Sequence, residues 1–202
     1  MPRRDALENR AALLAAARVV LNRDPDATLD LIAAEAGLSR RSVYGHFATR
    51  DELLRELVAS GTARVAGLLA AVEHDDPLVR LALVAERMWA EVADVRVMTL
   101  FAVRGPFQEL IARELEPVRA MLRATVEEGA ASGRIRSDIP AATLGRLIES
   151  AAIAVLDEAN RTALDAEAGR RYVMLSVLST AGMSAPDADA LVDATPELEA
   201  AA

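Results

Sequence analysis

The chain has 202 residues with 52% hydrophobic and 27% charged side chains, the composition of a globular protein of one or two domains. It has no cysteine and only two histidines, His46 and His74. The missing cysteine excludes disulfide frameworks, Cys-ligated zinc, iron–sulfur clusters and thiol catalysis, and two histidines argue against a multi-His metal site or a catalytic triad. The formal charge of −8 is unevenly spread: residues 1–60 carry nine Arg and nine acids, so the whole excess lies beyond residue 60. A polyanion could be attracted only through the N-terminal third.

Nearly every segment repeats its apolar residues at the helical period, and almost none alternates as a strand does. The spacing predicts a first helix from Asp5 to Leu21, with Leu13, Leu14, Ala17, Val20 and Leu21 on one face, ended by Asp24-Pro25-Asp26. A short helix follows from Thr28, an N-cap residue type, with Asp30 in its first turn and Gly37 at its C-terminal turn. Ser39 then caps a third helix that runs to about His46. Thr49-Arg-Asp-Glu52 is a capping box that opens a fourth, continuing toward Val72 with Gly61 and Gly67 inside it. Both glycines could ease bending of that helix.

His74-Asp-Asp-Pro77 is the clearest punctuation and the expected domain boundary. Beyond it, Leu81, Val84, Met88, Val92 and Val95 form one stripe, and another segment starts at Gly105-Pro106. Pro117 within that segment implies either a kink or a helix start. A connector over 133–140 leads to two further helices, Pro140–Arg161 and Asp165 to about Ala185, and an acidic tail over 186–202 is expected to be frayed. The longest uncharged stretch, Tyr172–Pro186, is 15 residues, too short to span a bilayer. With no signal or transit peptide at the start, a soluble, cytoplasmic chain without a membrane partner is expected.

Two short helices joined by a tight turn are the ingredients of a helix-turn-helix. Ala33 supplies the small residue where they cross, Gly37 the turn, and Leu29, Ile32, Leu38, Val43 and Phe47 the pins beneath. The outer face of the third helix then carries Ser39, Arg40, Arg41, Ser42, Tyr44 and His46, donors suited to a major groove. Arg50 adds a cation in the first turn of the next helix.

The stretch from Thr28 to Leu54, with its Ile-Ala…Ala-Gly-Leu-Ser turn, Tyr44-Gly-His-Phe47 and Arg50-Asp-Glu-Leu-Leu54, resembles the TetR family of bacterial transcriptional regulators. The match in detail covers about residues 6–65. The family's usual Gly after the first helix is replaced by Arg23-Asp24-Pro25-Asp26, and its usual Lys before the helix-4 acids is Arg50. The resemblance implies an all-α fold of about nine helices. A helix-turn-helix domain over 1–48 would be joined by the helix from 49 to a ligand-binding and dimerisation domain over 74–185. It implies that Thr28, Tyr44, His46 and Arg50 contact the DNA backbone, while Arg40, Arg41 and Ser42 read bases and Tyr44 packs on a thymine methyl.

It also implies a homodimer on a pseudo-palindromic double-stranded operator, repressing transcription until a small-molecule effector releases it, with no cofactor and no catalysis. Met88, Trp89, Met98, Phe101, Phe107 and Met121 are the candidate lining of an effector pocket, with Glu86, Arg87 and Arg104 the few polar groups nearby in sequence. The last two helices are unusually apolar and need burial on more than one side. Leu144, Leu147, Ile148, Ala151, Val155, Val173, Val177 and Leu178 are the candidate dimer surface. An activator, or a helical ligand-binding or scaffold protein without DNA binding, stands as the alternative. An enzyme fails on inventory, since pairs such as Asp75-Asp76 and Glu127-Glu128 would point apart on a helix.

Overall fold

The structure is a computed structural model. It describes residues 2–95, 99–100, 102–103 and 105–198, with the side chains of all of these except 2–5 and 94. The described residues are all-helical with no strand, and ten α-helices can be bounded among them, against about nine expected. In chain order these are α1 (Pro2–Arg23), α2 (Leu29–Glu35), α3 (Arg40–His46), α4 (Arg50–Ala70), α5 (Pro77–Val92), α6 (Gln108–Glu114), α7 (Glu116–Ala131), α8 (Ala141–Thr162), α9 (Ala166–Thr180) and α10 (Ala185–Ala194). No helix among the described residues is long and apolar enough to cross a membrane.

The chain divides into two compact units: Met1–Ala63 with Val95–Arg113, and Arg64–Asp94 with Glu114–Ala202. The division falls inside α4, so the punctuation at 74–77 lies within the second unit. There it marks a helix start. Asp76 caps α5, its carboxylate accepting from the Leu78 N–H at 2.8 Å, and Pro77 stands where the helix has no use for an N–H.

In the first unit the predicted stripe of α1 is buried at Leu13, Ala17 and Leu21. The helix-turn-helix core, Leu29, Ile32, Ala33, Val43 and Phe47, is buried as well. Gly37 has φ +68, the left-handed conformation the turn between α2 and α3 needs. The capping box at the start of α4 is present. Thr49 Oγ1 accepts from Glu52 N–H at 3.2 Å, while the Glu52 carboxylate reaches back to Ala48 N–H at 2.8 Å.

In the second unit α9 packs against both α5 and α8, and α7 packs against α8 and α5. Arg119 on α7 forks onto Glu149 of α8 with two 2.8 Å bonds. Arg80 of α5 donates to the His74 carbonyl at 2.9 Å and to Glu128 of α7 at 2.8 Å. Pro117 starts a helix and kinks none: it lies in the first turn of α7.

The segment 186–202, expected to be a frayed tail, is ordered over most of its length. Ser184 caps α10, and Ala188, Val192 and Leu198 are buried. Arg171 of α9 holds Asp189 and Asp193 of α10, each at 2.7 Å. Two of the acids that suggested a solvated tail, Asp189 and Asp193, are thus partners of this arginine, and residues 199–202 lie outside the described residues.

Candidate functional site

The candidate interface is built on α3, seven residues long and pinned from beneath by Val43 and Phe47. Ser39 Oγ accepts from Ser42 N–H at 3.2 Å, so this hydroxyl orders the first turn. Thr28 does the same for α2, accepting from Leu31 N–H at 3.4 Å. Both hydroxyls retain their own hydrogen for an outside acceptor.

With the core side inward, Ser39, Arg40, Arg41 and Tyr44 are exposed, and Ser42 and His46 are half-buried. No acid occurs between Ala36 and Arg50, a run with three arginines in a chain of net charge −8. The Arg40 guanidinium lies 3.3 Å from the Asp30 carboxylate and 5.6 Å above the Tyr44 ring.

Arg50 has a second task. Its Nε donates to the Ala27 carbonyl at 2.9 Å and its Nη2 to the Pro25 carbonyl. It thereby ties the turn after α1 to the start of α4, and only its remaining N–H groups are left for an outside partner. Arg10, absent from the expected site, positions the other end of α3. Its Nη1 donates to the His46 carbonyl at 2.9 Å, its Nε to Glu56 at 2.8 Å, and its guanidinium sits 4.4 Å over the Phe47 ring. Hydrogen bonding to Glu56 raises its pKa further above the ordinary arginine value. A signal existed in the sequence. Arg10 shares the stripe of Leu13, Ala17 and Leu21, and a cation on an apolar stripe calls for a partner.

The family model for bacterial regulatory proteins of the tetR family matches residues 13–57. The similarity to that family lies in the segment that holds α2 and α3. A crystal structure of the transcriptional regulator FadR from Bacillus subtilis in complex with stearoyl-CoA is similar, with TM-score 0.71 and 18% identity over 84% of this chain and 98% of that one. So is a TetR transcription regulator from Haloarcula marismortui, at TM-score 0.69 and 22% identity over 86% and 96%. SmeT, the repressor of the Stenotrophomonas maltophilia multidrug efflux pump SmeDEF, gives TM-score 0.65 and 19% identity over 84% and 88%. At such identities these structures establish a common fold. No curated protein sequence matches significantly.

Of the residues expected around an effector, Met88, Trp89, Phe107 and Met121 are described. Trp89 is 3% exposed and packed on Gly169 of α9, and Met88 and Met121 are half-buried in the second unit. Phe107 is buried and belongs to the first unit. Met98, Phe101 and Arg104 lie outside the described residues.

The expected dimer surface separates into two sets. Leu144, Ile148, Val173, Val177 and Leu178 are buried within the chain itself, none more than 2% exposed. They are a correction: periodicity marks burial but does not say whether the cover is the same chain or a second copy. Leu147 at 44%, with the half-buried Ala151 and Val155, remains outward. An open concavity of about 500 Å³ lies beside them, lined by Ala151, Ala154, Val155, Leu164, Tyr172 and Ser176 together with Glu158 and Thr180. None of the described effector candidates, Met88, Trp89, Phe107 and Met121, is among its lining residues.

Proposed function

We propose that the chain is a homodimeric, cytoplasmic transcriptional regulator that occupies a pseudo-palindromic operator through α3 and leaves it when a small-molecule effector binds the second unit. Repression by occupancy is the direction favoured. The carrying observation is the acid-free, arginine-bearing outer face of α3 on a chain whose net charge would otherwise repel DNA. Arg40, Arg41 and Ser42 are the base-reading candidates, and Thr28, Ser39, Tyr44, His46 and Arg50 position the phosphate backbone.

One seven-residue helix reads only a few base pairs, so a second copy is needed for selectivity, and two-fold symmetry makes the operator pseudo-palindromic. The outward apolar residues of α8 and α9, Leu147, Ala151, Val155 and Tyr172, support that pairing. FadR's complex with stearoyl-CoA and SmeT's role as a repressor support ligand-responsive repression on this fold. The proposed function needs no cofactor and no catalytic step.

The test is a mobility shift with promoter DNA of the chain's own or a neighbouring gene. Retardation by the promoter, resisted by unrelated duplex competitor, is expected. Equal competition by both duplexes would refute the proposal.

A further inference from the structure

Asp30 is an acid on the one surface where an acid works against binding DNA. It stands in the first turn of α2, and its carboxylate lies 3.3 Å from the Arg40 guanidinium at the start of α3. The same guanidinium sits over the ring of Tyr44, one helical turn along α3. The Arg40 side chain is 74% exposed and that of Asp30 45%, so the pair does little for the stability of the fold. The next residue, Arg41, forms no ion pair among the described residues. The two adjacent arginines therefore differ in one respect: Arg40 is aimed and Arg41 is not.

We propose that Asp30 is a specificity-determining positioning residue, which holds Arg40 against Tyr44 so that Arg40 presents its donors to a base edge instead of to the nearest phosphate. This rests on α3 being the recognition helix. An unpaired arginine at a DNA surface is drawn to phosphates, which are close, charged and indifferent to sequence. Pairing with Asp30 cancels much of that attraction. Guanidinium has five N–H donors in a fixed plane, so a carboxylate at one edge leaves the others for guanine O6 and N7. The aromatic face of Tyr44 favours a cation held above it. An acid here opposes about one phosphate contact's worth of counterion release, and in exchange Arg40 gains direction.

The experiment selects duplexes from a random-core library with the wild-type protein. Binding to the selected duplex and to a scrambled one is then measured by fluorescence anisotropy across a salt series. Asp30→Asn is expected to tighten binding to the scrambled duplex and to steepen the salt slope by about one. It should lower the selected-to-scrambled ratio by roughly fivefold or more. In an Arg40→Ala background the same change should leave that ratio unmoved, and thermal midpoints should match throughout, since the pair is exposed. An unchanged ratio for Asp30→Asn, or an equal fall with Arg40 absent, overturns the inference while leaving α3 as recognition helix. If the wild-type protein enriches no duplex, the recognition-helix reading falls, and this inference falls with it.

Discussion

The indole of Trp89 covers the α carbon of Gly169: a Cβ built on that glycine would lie 2.1 Å from both Cη2 and Cζ2 of the ring. This contact sets how closely α5 and α9 approach, and no other residue type fits at 169 without moving the ring or a helix. Gly169→Ala should therefore destabilise by about 1–3 kcal/mol despite alanine's better helix propensity. Thermal denaturation followed by tryptophan fluorescence checks it; an unchanged midpoint would mean the helices separate freely there.

Leu147 and Ile148 are neighbours in sequence with opposite exposure, 44% and 2%. Leu147→Glu should yield a folded monomer by sedimentation, because it charges the outward face proposed for self-association. Ile148→Glu should lower the thermal midpoint steeply, because it buries an unpaired acid in the same chain. A dimeric Leu147→Glu protein would argue for another interface.

Arg10 connects α1, α4 and the C-terminal end of α3 through one guanidinium. Arg10→Ala should cost about 1–3 kcal/mol, since it leaves the half-buried Glu56 without its partner, and should also weaken DNA binding by loosening α3. Arg10→Lys cannot restore the forked bond to Glu56 and should recover only part of either property. Urea denaturation and anisotropy read the two effects separately.

Asp76 links acidity to stability. Burial pushes its carboxyl upward, but the hydrogen bond from Leu78 N–H, the Arg134 guanidinium and the Val79 N–H outweigh this and hold it below the usual aspartate value. A depressed folded-state pKa stabilises above the unfolded value, about 4, and that contribution is lost as pH falls through the lower folded value. Asp76→Asn should flatten this part of the acid limb and should lower stability at neutral pH by about 1 kcal/mol or less. Denaturation midpoints measured on both sides of pH 4 test the sign.

A Cβ added at Gly61 or Gly67 would meet no atom within 4 Å, so nothing in the packing demands glycine at either position. Replacing both with Ala should raise stability by up to about 1 kcal/mol for each site. If bending of α4 carries the effector's signal, the double variant should also respond less to an inducing ligand while binding DNA normally without it. Thermal midpoints and ligand-titrated anisotropy measure the two effects.

Local rules made the N-terminal unit readable. The cap at Ser39, the left-handed turn at Gly37 and the stripe of Leu13, Ala17 and Leu21 depend on residues close in sequence, and each is where spacing placed it. The second unit was readable only as a set of helices, because an apolar stripe records burial without naming its cover. That is why Leu144 and Val177 suggested a partner copy when they face their own chain. Long-range ion pairs leave still less trace: the acids of α10 suggested solvent until Arg171 accounted for Asp189 and Asp193.

The central claim is that α3, presented twice by a dimer, selects DNA sequence. Enrichment from a random-core duplex library by the wild-type protein, repeated with Arg40→Ala, tests it most directly. The account predicts an enriched pseudo-palindrome whose affinity falls steeply with salt and whose preference relaxes at one position per half-site in the variant, at a cost of about 1–3 kcal/mol. Absence of any enriched motif, or an asymmetric motif that Arg40→Ala reads unchanged, would contradict it.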